Sequence, residues 1–187
     1  MAFPGHPTFM RLFIGLPIPS AMATTLACHA RTMSLPKARW IAPESFHLTL
    51  VFLGEVAEQR LSSIKNELEE VNFSSFPIRL TNLNTFPRAS VLIAEVDPIN
   101  RLLHLQEQIV SRMARSGFAP EERPYHPHIT LARFHGSQPR PPRLSESQRA
   151  LPSLLRRSLS ADTINLYRSN LTANGAHYEI LAQTKSS

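Results

Sequence analysis

Two short stretches hold the residues best suited to chemistry. His47-Leu48-Thr49-Leu50 and His128-Ile129-Thr130-Leu131 repeat one order, histidine, aliphatic, threonine, leucine, 81 residues apart. On a strand the side chains alternate between faces and residues two apart are separated by about 6.6 Å. Each stretch therefore presents an imidazole and a hydroxyl on one face and two aliphatic anchors on the other. One copy would be ordinary on a half-buried strand. Two copies, each in β-rich sequence near a helix, predict two related lobes that face each other across a cleft. The quartet suits phosphodiester cleavage without a metal. With an ordinary histidine pKa of about 6.5, one imidazole can be neutral and act as base while the other is protonated and acts as acid. The hydroxyls can donate to phosphate oxygens, and an arginine can balance the charge of the transition state.

Other chemistries lack their residues. Cys28 is the only cysteine, which excludes an intramolecular disulfide and any multi-cysteine zinc site. His126-Pro127-His128 offers two neighbouring imidazoles, but no clustered carboxylates accompany them, so no metal is expected. No G-x-x-x-x-G-K-[ST], G-x-G-x-x-G or G-x-S-x-G motif occurs.

Both tetrapeptides must be held by strands. A strand-like run opens at Met10 (RLFIGLPI), and a helix follows over Ser20–Met33, with Ser20 available as its cap. Residues 39–45 read as a loop or short edge strand because Pro43 cannot donate to a ladder. The first tetrapeptide strand, Phe46–Leu53, is expected to stop at Gly54. An amphipathic helix follows over 56–71, then strands over 77–86 and 90–96, and a helix over 98–116 closed by Gly117. The second tetrapeptide strand comes next, a short helix falls around 147–155, and two strands, 162–168 and 177–182, flank Asn174-Gly175. Strands and helices mixed in this order predict an α+β fold rather than a doubly wound parallel sheet.

The 187 residues fit one domain, and 42% hydrophobic against 18% charged residues supports a packed core. Residues 1–9 read as an extension and 10–187 as the domain. The formal charge of +6 is uneven: the stretch 101–157 carries ten basic residues, all arginine, against four acidic ones, while the rest of the chain balances. Arginine's planar fork suits phosphate. No apolar run is long enough to span a bilayer and the first nine residues do not resemble a signal peptide, so a cytoplasmic, membrane-free setting is expected.

The paired tetrapeptides resemble the signature of the 2H phosphoesterase superfamily. Flanking residues narrow the resemblance to its RNA 2′,3′-cyclic phosphodiesterase, or 2′-5′ RNA ligase-like, branch. These are Met10-Arg11-Leu12-Phe13-Ile14, Arg39-Trp40, Phe46-His47-Leu48-Thr49-Leu50-Val51-Phe52-Leu53-Gly54, Arg123-Pro124-Tyr125, Pro127-His128-Ile129-Thr130-Leu131-Ala132-Arg133, Leu166-Tyr167-Arg168-Ser169 and Gly175-Ala176-His177-Tyr178. The resemblance implies a bilobal fold with pseudo-twofold lobes, two antiparallel sheets flanking a central cleft and helices outside. It implies hydrolysis of RNA 2′,3′-cyclic phosphate ends, tRNA fragments or small cyclic nucleotides among them, to 2′-phosphates, without a cofactor; separately, a monomer is expected. His47 would be the proton donor to the departing 3′ oxygen and His128 the base. Thr49 and Thr130 would hold the phosphate, with Arg133 near it and Phe52 near the nucleotide. A non-catalytic RNA-end binding module and 2′-5′ ligation are the alternatives. Residues 128, 130 and 132 share a strand face, so Arg133 can reach the phosphate only if its strand ends or bulges; Phe52 meets the same condition. RNA is expected to approach the second lobe, with Arg140, Arg143, Arg156 and Arg157 as its contacts.

Overall fold

The computed structural model describes residues 8–35, 37–119, 121, 123–135, 141–172 and 175–187. The elements run β1 (Phe9–Pro17), α1 (Ser20–Arg31), β2 (Ala38–Trp40), β3 (His47–Ala57), α2 (Leu61–Glu69), β4 (Phe76–Ile78), β5 (Leu80–Phe86), β6 (Val91–Val96), α3 (Asn100–Arg115), β7 (His128–Phe134), α4 (Glu146–Arg149), β8 (Leu159–Ala161), β9 (Thr163–Thr172) and β10 (Gly175–Lys185). The fold is α+β, and all strand pairings are antiparallel.

The main sheet has the order β10-β9-β1-β3-β7-β6-β5, with β2 alongside β7 and the β4-β8 pair separate. It divides naturally in two. β1, β3, β9 and β10 are joined by long ladders, as are β5, β6 and β7, but among the described residues the ladders of the two halves meet at the single pair Leu48–Ile129. Beyond that pair β3 leaves β7, and β2 takes the vacated edge at Ala132–Phe134. Within the halves, β1-α1-β3 and β6-α3-β7 repeat one arrangement, an antiparallel strand pair connected by a helix. These are the two related lobes that the repeated tetrapeptide predicts.

Helices cover one face of this sheet. α3 places Leu102, Leu105, Ile109 and Met113 in the core at helical spacing. Each such side chain contributes about 1.5–3 kcal/mol on burial. Leu48, Leu50, Ile129 and Leu131, the aliphatic members of both tetrapeptides, join the same core. Their histidines and threonines face the opposite, open side.

Several boundaries differ from the sequence expectation. β3 does not stop at Gly54 but runs to Ala57, because glycine tolerates the φ of +71° required there. Val56 consequently belongs to β3, paired with Met10, and α2 begins only at Leu61 after a tight turn at Glu58–Arg60. Ser20 does not cap α1; Pro19 holds the cap position and its carbonyl accepts from the Ala23 amide. The run 77–86 is split, Pro77 pairing with β8 and Leu80–Phe86 with β6. β1 begins at Phe9, and the Thr8 carbonyl accepts from the Glu58 amide. Asn174 and Arg140 lie outside the described residues.

Candidate active site

The junction pair Leu48–Ile129 brings the two tetrapeptides side by side. Continuing its antiparallel register sets His47 across from Thr130 and Thr49 across from His128. All four side chains are part-exposed on the open face. Neither threonine hydroxyl has a hydrogen-bond partner among the described residues, so both are available to a ligand.

Each imidazole is fixed in the same way. His47 Nδ1 donates to the Ser45 carbonyl at 2.8 Å, and His128 Nδ1 donates to the His126 carbonyl at 2.7 Å. A carbonyl can only accept, so both rings carry their proton on Nδ1 when neutral, leaving Nε2 as the reactive nitrogen. Tyr125 ties the lobes together from the other side, its hydroxyl donating to the Thr49 carbonyl at 2.9 Å.

The surroundings of the two rings differ. His47 sits in an aromatic box, 4.6 Å from the Phe13 ring and 4.9 Å from that of Tyr178, with Phe13 stacked on Tyr167 at 4.9 Å. Asn165, buried beneath, donates to the Tyr167 hydroxyl at 2.9 Å. His128 packs against the edge of Phe86 at 5.0 Å, as does His126. His126 Nε2 lies 3.7 Å from a Glu95 carboxylate oxygen that also accepts from Asn84. Apart from His126, which the sequence places two residues before His128, these partners were hidden from sequence reasoning because they come from other strands; only register reveals them.

Burial holds His47 down to a pKa of about 4, against the bond to the Ser45 carbonyl, which favours the cation; His128 and Arg133 depress it further. Burial also lowers His128, opposed by the His126 carbonyl and assisted by the His126 ring. The ligand-free protein thus keeps both imidazoles neutral near pH 7, whereas the sequence expectation was one neutral and one protonated.

Phe52 and Arg133 reach the open face through the irregularity their positions require. In β7 the register slips: Leu92 pairs with Ala132 and Ile93 with Thr130, leaving Leu131 without a partner of its own. Leu131 and Ala132 are both buried in succession, the alternation restarts, and Arg133 emerges on the face of Thr130. β3 slips equivalently, Ile14 pairing with Val51 and Gly15 with Thr49, so Leu50 is the extra residue and Phe52 emerges. Arg133 acts on His47 and Tyr178 through its charge, and Arg39 lies opposite it on β2. At the β3 slip the strands approach closely: a Cβ on Gly15 would lie 2.8 Å from the Leu48 carbonyl oxygen.

A cavity of about 280 Å³ lies between α3 and the loop before β7, lined among others by Leu50, Phe52, Gln106, Phe118 and Tyr125, and neither histidine borders it. Among the described residues no group of three histidine, cysteine, aspartate or glutamate side chains could hold a metal ion, and no helix is long and apolar enough to cross a membrane.

The fold agrees with comparisons to known proteins. A family model described as the 2′-5′ RNA ligase superfamily matches residues 28–172. The chain belongs to the 2′-5′ RNA ligase superfamily. Similar proteins include the RNA 2′,3′-cyclic phosphodiesterase of Aeropyrum pernix, 32% identical over 78% of this chain and 85% of that one. Another is the RNA 2′,3′-cyclic phosphodiesterase of Methanocaldococcus jannaschii, 27% identical over 93% of this chain and 99% of that one. In fold the chain resembles a crystal structure of Escherichia coli LigT complexed with 3′-AMP, at a TM-score of 0.82 and 23% identity over 96% of this chain and 99% of that one.

Proposed function

We propose that the chain is a metal-independent phosphodiesterase that opens 2′,3′-cyclic phosphates at RNA 3′ ends. The observation that carries this reading is the paired register of the two tetrapeptides, which sets two Nε2 atoms and two unpartnered hydroxyls around one space. The names of its superfamily relatives support the substrate class.

In this mechanism Thr49, Thr130 and Arg133 hold the phosphate oxygens and Phe52 lies against the nucleotide. His128 Nε2 takes a proton from water as the water oxygen bonds to phosphorus. The bond from phosphorus to the 3′ oxygen breaks, and His47 Nε2 delivers a proton to that oxygen, leaving a 2′-phosphate. His47 acquires that proton with the substrate, since the phosphate anion favours the imidazolium that burial alone disfavours.

The test is incubation of the protein, with EDTA present, with RNA ending in a 2′,3′-cyclic phosphate, followed by analysis of the terminus. The expected product is a 2′-phosphate, with turnover reduced at least a hundredfold in His47→Ala and in His128→Ala. A 3′-phosphate would reverse the roles of the two histidines. Binding without any turnover would leave an RNA-end binding module.

A further inference from the structure

The open face that carries His47 continues outward beyond the catalytic pair. Phe9, Arg11 and Phe13 alternate onto it along β1, and the ladders set Phe52 beside Phe13, Glu55 beside Arg11 and Ile180 beside Tyr167. Phe13 is covered, at 3% exposure. Phe9, Phe52 and Ile180 are 56%, 59% and 55% exposed, three of the four large apolar side chains exposed among the described residues. A concentration of this kind on one face, continuous with a cleft, marks a contact surface rather than scattered surface residues.

Its charge is also informative. Arg11 is exposed, and its charge, like that of Arg133, reaches Tyr178. Glu55 lies opposite Arg11 in the ladder, yet among the described residues no carboxylate is within ion-pair distance of that guanidinium. Phe9 and Phe13 are about 13 Å apart along β1, with Arg11 midway. Because Phe13 is covered, the exposed ring at the cleft end is that of Phe52, 6.1 Å from Phe13, and the exposed order on the face is ring, cation, ring, leading toward the phosphate site.

We propose that this face is a stacking platform for the single-stranded RNA immediately upstream of the terminal phosphate, with bases on Phe52 and Phe9 and the intervening phosphodiester on Arg11. The proposal rests on the cyclic phosphodiesterase reading of the same cleft and adds to it a surface that holds the nucleotide upstream of the terminal one. Flat apolar bases joined by anions match alternating rings and a guanidinium, and exposed aromatics on a sheet accept bases of any sequence. The turn that carries Arg156 is less well placed. Leu155 anchors the turn Ser153–Arg156 in the core shared with α1, on the helix-covered side of the sheet.

The test compares kcat/KM for adenosine 2′,3′-cyclic monophosphate with that for a tetraribonucleotide bearing the same end, and measures binding of the labelled tetranucleotide by fluorescence anisotropy. Wild type is expected to favour the tetranucleotide about tenfold or more, and Phe9→Ala and Arg11→Gln to remove most of that preference while turning over the mononucleotide as wild type does. Equal kcat/KM for both substrates, or equal losses on both in the variants, would overturn the platform and leave the reaction standing. If no cyclic phosphate is hydrolysed, tetranucleotide binding weakened about tenfold by each variant would uphold the platform and sink the reaction. Loss of the length preference in an Arg156→Gln/Arg157→Gln variant, with Phe9→Ala and Arg11→Gln unaffected, would place the RNA on the arginine-rich turn and overturn the proposal. A dimer detected by light scattering and abolished by Phe9→Ala, with no dependence on RNA length, would assign the face to a second copy and overturn it as well.

Discussion

The two histidines are alike in every bond that fixes them and unlike in what surrounds them. Both present Nε2 because Nδ1 is committed to a backbone carbonyl, and both are neutral before substrate arrives. A mechanism that needs His47 protonated must therefore show it in the pH profile. For the free protein only a small fraction carries the acid at pH 7, so kcat/KM should rise as pH falls from 8 toward 6. With the phosphate bound the acid is retained to higher pH, and kcat should stay level across the same interval. Steady-state rates between pH 5 and 9 check this, and parallel profiles for the two constants would contradict it. The meeting of this pair on one face was legible from the repeat and its spacing alone. The depressed pKa of His47 was not, because it arises from Phe13, Tyr167 and Tyr178 on β1, β9 and β10, whose closeness no local pattern announces.

At the scale of elements, strand periodicity correctly identified β3 and β7 and also showed its limit at the position five residues after each histidine. A regular strand would send Arg133 into the core; the observed slip at Leu131 sends it to the cleft, and Leu50 does the same for Phe52. Sequence alone posed that condition but could not reveal how it is met. Gly15 is part of the answer in the first lobe, since β1 and β3 approach there too closely for a side chain. Gly15→Ala should force the backbone apart and cost about 1–3 kcal/mol of stability. Because Gly15 faces Thr49, it should also lower kcat more than the loss of stability explains. Urea unfolding midpoints and rates at a temperature where the variant is fully folded check both effects. The errors at Ser20, Gly54 and Val56 share one cause: propensity locates an element, while its ends depend on partners such as Met10 opposite Val56.

For the molecule as a whole, the neutral histidines couple folding to pH. The folded His47 pKa lies below that of the unfolded chain, so the unfolded state binds the extra proton between about 6.5 and 4. Stability from this group is complete above pH 6.5 and is lost as pH falls toward 4. Between pH 7.5 and 4.5 the loss from His47 should be on the order of 2 kcal/mol, and it should be smaller in His47→Gln. Denaturant titrations at the two values test this, and equal losses in both proteins would mean that other groups carry the effect.

The junction of the lobes at one residue pair has a broader meaning. A twofold axis passing between Leu48 and Ile129 exchanges the two tetrapeptides, so position relative to that axis gives neither imidazole a prior claim to be acid or base. On the proposed mechanism, the choice of departing oxygen must then be written in the unlike packing, aromatic rings around one imidazole and a carboxylate with a second imidazole near the other. Regioselectivity here is a property of the walls rather than of the reacting groups, and altering those walls is the route by which the same four side chains would come to release the other oxygen.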